Sequence, residues 1–189
     1  MRHLKKASDS GVLSSGWSYP QNAPQIRAEL LREQKGFCAY SERFVHATDS
    51  CDVEHFDSRL KSTGQDGYWN WYAVLHWVNS HKPRKIEPFL PMLRPHSPEV
   101  PQRIRYEDGQ FVAVQEDDTE AENLIRYLGW NRPELAEDRS NHVSRIRELR
   151  GFFAVDEDGF LDCLRRLREN LSFATALEAE LGLDLSALI

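Results

Sequence analysis

The chain has 189 residues, 40% of them hydrophobic and 29% charged, with a formal net charge of −6. That is enough for one globular domain or a domain with an appendage, and no apolar run approaches the length of a membrane span. The acidic total argues against a protein that grips nucleic acid by charge alone. The three cysteines, Cys38, Cys51 and Cys163, argue against a disulfide framework and a four-cysteine zinc site.

The start of the chain is basic but has no apolar core of a secretory signal, which predicts a cytoplasmic protein. Residues 1–24 show no period and read as an N-terminal arm, with Trp17 and Tyr19 as anchors onto the body. From Pro24 a helix is predicted, with Ile26, Leu30 and Leu31 on one face and Gly36 as its stop. Residues 37–56 read as two short strands around a turn at 47–50.

Residues 51–82 hold the densest chemistry. Glu54 and His55 end a β-like run, Asn70 opens an aromatic-aliphatic strand, and Asn79, His81 and Lys82 close the block around a helix start. His76 and His81 flank that start; each reads first as a helix-surface histidine, with contact of one of them to metal or substrate as the alternative. Asp52 and Asp57 read as ordinary strand-flanking acids, and Tyr68, Trp69, Trp71, Tyr72 and Trp77 as core packing rather than a base-stacking platform. An imidazole near neutral pH can take a proton from water. Hard oxygen donors can hold Mg²⁺ or Mn²⁺, and an ammonium can meet a phosphate.

Six prolines between 83 and 101 predict an extended connector, packed through Ile86, Phe89, Leu90 and Leu93. Six basic residues, Lys82, Arg84, Lys85, Arg94, Arg103 and Arg105, fall in that region, whereas five of the seven residues 116–122 are acidic. Residues 103–114 predict a β-hairpin around Asp108-Gly109. Four helices follow. The first is capped by Thr119 and stopped by Gly129, and the second is capped by Asn131 and runs through 132–153. The last two cover 156–170 and 172–181.

The block D-V-E-H-F, then an Asn opening an apolar run, then N-S-H-K resembles the HNH nuclease motif in its His-Asn-Asn form. The resemblance implies an α+β fold with a ββα-metal core, to which this chain adds a hairpin and C-terminal helices. It implies His55 as general base, Asn70 as organiser of the loop, and Glu54 and Asn79 as ligands of one Mg²⁺ or Mn²⁺. Lys82 is the expected substrate-phosphate contact. Where many such proteins carry two C-x-x-C pairs, this chain has Cys38, Ser41, Leu75 and Val78, so no structural zinc is expected and apolar packing takes its place.

The pieces GFCAYSE, VEHF and the late LGWNRPELAEDR are similar to the HNH nucleases found with retrons and in the Septu anti-phage system. That likeness covers about residues 25–150 in scattered blocks, leaving 151–189 as a C-terminal helical extension. It implies a nucleic-acid substrate, DNA before RNA, and an ABC-type ATPase partner in an anti-phage complex, with no membrane. The alternatives are a catalytically degenerate binding subunit of such a complex and a freestanding nuclease.

Overall fold

The computed structural model describes residues 4–153 and 156–188; the basic first three residues, Ala154, Val155 and Ile189 lie outside them. In chain order the helices and strands are α1 (Gly11–Ser14), α2 (Ala23–Glu33), β1 (Cys51–His55), β2 (Trp71–Leu75), α3 (His76–Ser80) and α4 (Val100–Arg103). Then come β3 (Ile104–Glu107), β4 (Gln110–Ala113), α5 (Thr119–Leu128), α6 (Pro133–Phe153), α7 (Glu157–Arg166) and α8 (Ala174–Leu181). The result is a mixed α+β protein with two small antiparallel sheets, β1–β2 and β3–β4. Among the described residues no helix is long and apolar enough to cross a membrane.

The β1–β2 register pairs Cys51 with Leu75, Glu54 with Tyr72 and His55 with Trp71. Paired residues share a face and successive residues alternate, so Glu54 and His55 point to opposite sides of this ribbon. One side packs on α2 and the arm through Val12, Ile26, Leu30, Trp71 and Ala73. The other buries Tyr72 and Val74 against Ile86, Leu124 and Tyr127.

The strand predicted within 37–46 does not form. Its only ladder contact is a single antiparallel bridge, Phe37 to Phe44, and β1 takes its partner from β2 instead. The segment turns back on itself because Glu42 adopts a left-handed backbone, φ +60°, with its N–H donated to the Cys38 carbonyl at 3.0 Å. Cys38, Leu75 and Val78 are buried in one apolar cluster, and the Leu75 N–H donates to Cys38 Sγ at 3.4 Å.

Other elements follow the sequence. α2 begins with Pro24 in its first turn, and Asp108 and Gly109, both at positive φ, make the tight turn between β3 and β4. Two capping expectations and one helix extent are corrected. Asp118 rather than Thr119 caps α5, accepting from the Ala121 N–H at 3.1 Å. Asn131 does not cap α6; its carboxamide pairs with the Phe111 backbone, accepting from N–H at 2.8 Å and donating to C=O at 2.7 Å. The helix predicted over 156–170 ends at Arg166 and is followed by a 3-10 turn at Arg168–Leu171. In the connector Ile86 and Leu93 are buried, but Leu90 is exposed.

α6 runs unbroken through residue 150 and buries Leu135, His142, Val143 and Ile146 along one stripe. Against that stripe pack Phe160, Leu164, Phe173 and Leu177, together with Phe37 from the early turn. The Glu42 carboxylate reaches the start of α8, accepting from Thr175 N–H at 2.9 Å and Thr175 Oγ1 at 2.6 Å. It thereby serves as an N-cap that α8's own sequence lacks, since Phe173 occupies the cap position.

Candidate active site

His55 ends β1 on the face that meets the N-terminal arm. It is 5% exposed. Its Nε2 lies 3.1 Å from Asp66 Oδ2, a close charge contact without the alignment of a directed hydrogen bond. The Tyr19 ring sits edge-on to the imidazole with centroids 4.6 Å apart, and Trp71 flanks it at 6.1 Å. Burial pushes the His55 imidazole below its ordinary range, and Asp66 beside it pulls the other way.

Asp66 has further partners. Its Oδ1 accepts from Asn70 Nδ2 at 3.1 Å and from the Trp71 indole N–H at 2.9 Å. Asn70 is buried at the junction of a 3-10 turn, Tyr68–Asn70, with β2. Its side chain grips the backbone of Asp57 across the loop, accepting from N–H at 2.8 Å and donating to C=O at 3.1 Å. The Asn70 carbonyl also accepts from the Phe56 N–H at 2.9 Å. The loop leaving β1 and the turn entering β2 are therefore locked together within a few residues of His55. Asp57 is fixed in turn by a two-pronged Arg59 contact at 2.9 and 2.8 Å.

The arm is pinned over this region. Lys6 Nζ donates to the Tyr68 carbonyl at 2.6 Å and to the Trp71 carbonyl, and sits over the Tyr68 and Tyr72 rings. Burial pushes its ammonium down to about 7, with Glu33 opposing. A cleft of about 350 Å³ lies between the arm and the loop, lined by Trp17, Tyr19, Thr63, Asp66 and Trp71 among others.

Glu54 lies on the opposite face of β1. Its Oε1 is 2.8 Å from Lys82 Nζ, with both side chains almost wholly buried. Lys82 also donates to Tyr127 Oη at 2.5 Å, and Tyr127 donates to the Phe56 carbonyl at 2.9 Å. Burial raises the Glu54 carboxyl above its ordinary range, and Lys82 counteracts this. α3 ends at Ser80, so Lys82 stands beyond the helix, with its N–H donated to the Asn79 carbonyl at 3.1 Å. The ammonium expected at a phosphate is thus directed into the protein.

Asn79 sits inside α3 rather than at its start. Its Nδ2 donates to Asp52 Oδ2 at 2.8 Å, and His76 Nδ1 lies 2.9 Å from the same oxygen. His81 stacks on Trp77 with centroids 4.3 Å apart. Of the aromatic run, Tyr68, Trp71 and Tyr72 are buried, whereas Trp69 and Trp77 are exposed.

The expected metal pair therefore does not present two open donors: Glu54 is neutralised by Lys82, and the Asn79 carboxamide is engaged by Asp52. Among the described residues no group of three or more His, Cys, Asp and Glu is arranged to hold a metal ion. Two residues of this region escape a reading of the sequence as motif. Asp52 was traceable, because strand alternation puts it on the Glu54 face. Asp66 was not, because no period relates a loop acid to His55.

Comparison with protein families, curated proteins and solved structures gave no match to this chain.

Proposed function

We propose that this protein is a metal-dependent endonuclease of the HNH type that hydrolyses nucleic-acid phosphodiesters, DNA before RNA. In this reading it acts in the cytoplasm as the effector subunit of an anti-phage complex with an ABC-type ATPase. The single observation that carries the reading is the lock around His55. Asn70 ties the loop to the strand, and the same carboxamide reaches the carboxylate that faces the imidazole.

A carboxylate 3.1 Å from Nε2 favours, by its charge, the tautomer with the proton on that nitrogen, which leaves Nδ1 as the base. His55 then takes a proton from water as the hydroxyl adds to phosphorus, and the bond to the leaving sugar oxygen breaks, that oxygen keeping the electron pair and taking a proton from solvent water. Asp66 stabilises the imidazolium that results. The depressed basicity of a buried imidazole keeps it unprotonated, and so ready as a base, near neutral pH. A divalent cation, when bound, supplies charge neutralisation at the phosphate. Tyr19 covers His55, so the arm must part from the body for a phosphodiester to arrive.

The test is nicking of plasmid DNA, and cleavage of RNA, by the purified complex with Mg²⁺ or Mn²⁺. His55→Ala is expected to cost about a hundredfold or more in rate. Equal behaviour of wild type and variant under both metals and in all partner states removes the assignment. One observation favours a second reading, an HNH-like subunit that binds without cutting: the Glu54–Lys82 pair closes the acid expected to hold metal. Under that reading the complex assembles fully and neither protein cleaves. A freestanding nuclease would be fully active as a monomer and would not co-purify with an ATPase.

A further inference from the structure

Asp52, His76 and Asn79 meet at one point of the surface, and the two acids on their strand face differ in charge balance. Glu54 is neutralised by Lys82. Asp52 has no lysine or arginine within ion-pair distance among the described residues; its neighbours are an imidazole and a carboxamide. A carboxylate left with only those two is the one on this face with negative charge to offer.

The spacing is that of a chelate. His76 Nδ1 and Asn79 Nδ2 stand 2.9 and 2.8 Å from the same oxygen, Asp52 Oδ2. Metal–donor bonds of about 2.1 Å put neighbouring donors of an octahedron roughly 3 Å apart. Turning the Asn79 carboxamide about its last torsion exchanges nitrogen for oxygen at almost no change in position. A cation set off the lines between these atoms, about 2.1 Å from each, would take the place of the present hydrogen bonds. The His76 side chain is 62% exposed and that of Asp52 30%, so water and a ligand oxygen can fill the remaining positions. His76 and Asn79 lie three apart on α3, on one face, and Asp52 comes from the neighbouring strand.

We infer that Asp52, His76 and Asn79 form the divalent-cation site of this protein, in place of a Glu54–Asn79 pair. One imidazole and two oxygens suit Mn²⁺, Co²⁺ or Ni²⁺ better than Ca²⁺ or Mg²⁺, which favour oxygen alone. The site itself stands on the geometry; its service to phosphodiester cleavage rests on the nuclease reading above.

The experiment is a Mn²⁺ titration of the full chain. Bound metal is followed by loss of the aqueous Mn²⁺ spin-resonance signal and by broadening of the His76 imidazole proton signals. One saturable site is expected, weakened about tenfold or more in Asp52→Asn and in His76→Ala, with the paired change Glu54→Gln and Lys82→Met, which leaves no buried charge unpartnered, leaving affinity unchanged. His76 is a surface side chain, so its replacement keeps the fold, and thermal melts of each variant verify this. Equal affinity in wild type, D52N and H76A overturns the site, as does loss confined to the paired Glu54→Gln and Lys82→Met variant. Binding as expected without any nicking leaves the site standing and removes the nuclease reading. Metal-dependent nicking that H76A and D52N leave untouched keeps the nuclease reading and removes this site from the cleavage step.

Discussion

The Lys82 ammonium lies 2.8 Å from the Glu54 carboxylate, and the side chains are only 6% and 11% exposed. A buried pair of this kind is costly to break from one side, because the remaining charge stays out of water. Lys82→Met should destabilise the fold by about 3–5 kcal/mol near neutral pH. Without Lys82 the Glu54 carboxyl is held up still further by burial. A carboxyl raised on folding favours the native state below its unfolded range and penalises it as pH rises through the folded value. The variant's deficit should therefore shrink on acidification, and the double change with Glu54→Gln should recover part of it at neutral pH. Urea unfolding at two pH values measures both.

Tyr19→Ala should uncover His55. Burial is the leading cause of the depressed imidazole basicity, and the Tyr19 ring is its nearest aromatic cover. Its removal is expected to move the titration of His55 up toward the ordinary 6.5. A histidine titration followed by NMR reports this directly. An unchanged midpoint would mean that Trp71 and the loop, not the arm, exclude the water.

Asn70→Ala should cost about 2 kcal/mol or more, because it strands the buried N–H and C=O of Asp57 and takes one donor from Asp66. The Asp57 amide should lose hydrogen-exchange protection ahead of the β1–β2 ladder. Uniform loss across both would show that Asn70 supports the whole ribbon rather than the loop.

His142 predicts an acid-side loss of stability far from the candidate site. Its Nε2–H donates to the Asn170 carbonyl at 3.1 Å, and its Nδ1 accepts from Arg145 at 3.0 Å, so the neutral ring is fully paired. Burial pushes it below its ordinary range, so the unfolded chain binds the proton more readily. Stability is then complete above about 6.5 and falls as pH drops toward the folded value. His142→Asn should flatten that slope, with His55 and, toward pH 7, Lys6 contributing to what remains. Thermal melts between pH 7 and pH 5, from just above a histidine's ordinary 6.5 to well below it, read it out.

Much of the framework is legible from local chemistry. Asp108-Gly109 announces its own hairpin, Gly129 stops α5 in a left-handed turn, and the stripes of α2 and α6 follow helical spacing. What fails is pairing and direction. Residues 37–46 have strand-like composition, yet Lys35 and Glu42 take left-handed backbones that no glycine advertises. Alternation puts Glu54 and His55 on opposite faces but does not say which face holds Lys82. Asp66 and Tyr19 reach His55 from loops, where side-chain placement depends on tertiary packing. The block 51–82 was thus readable as a set of groups, whereas their partners were not.

Glu42 makes two hydrogen bonds to Thr175 across 133 residues of sequence, and its carbonyl accepts from the Phe173 N–H at 3.0 Å. The turn at 38–42 therefore waits for the last helix before it is complete. Made from the N-terminus on a ribosome, the chain would present its early turn long before the residues that fasten it exist. Assembly of the early segment should come late in folding, once residues 173–175 are made, and the nascent protein should pass through a stage with β1 and β2 exposed at that end.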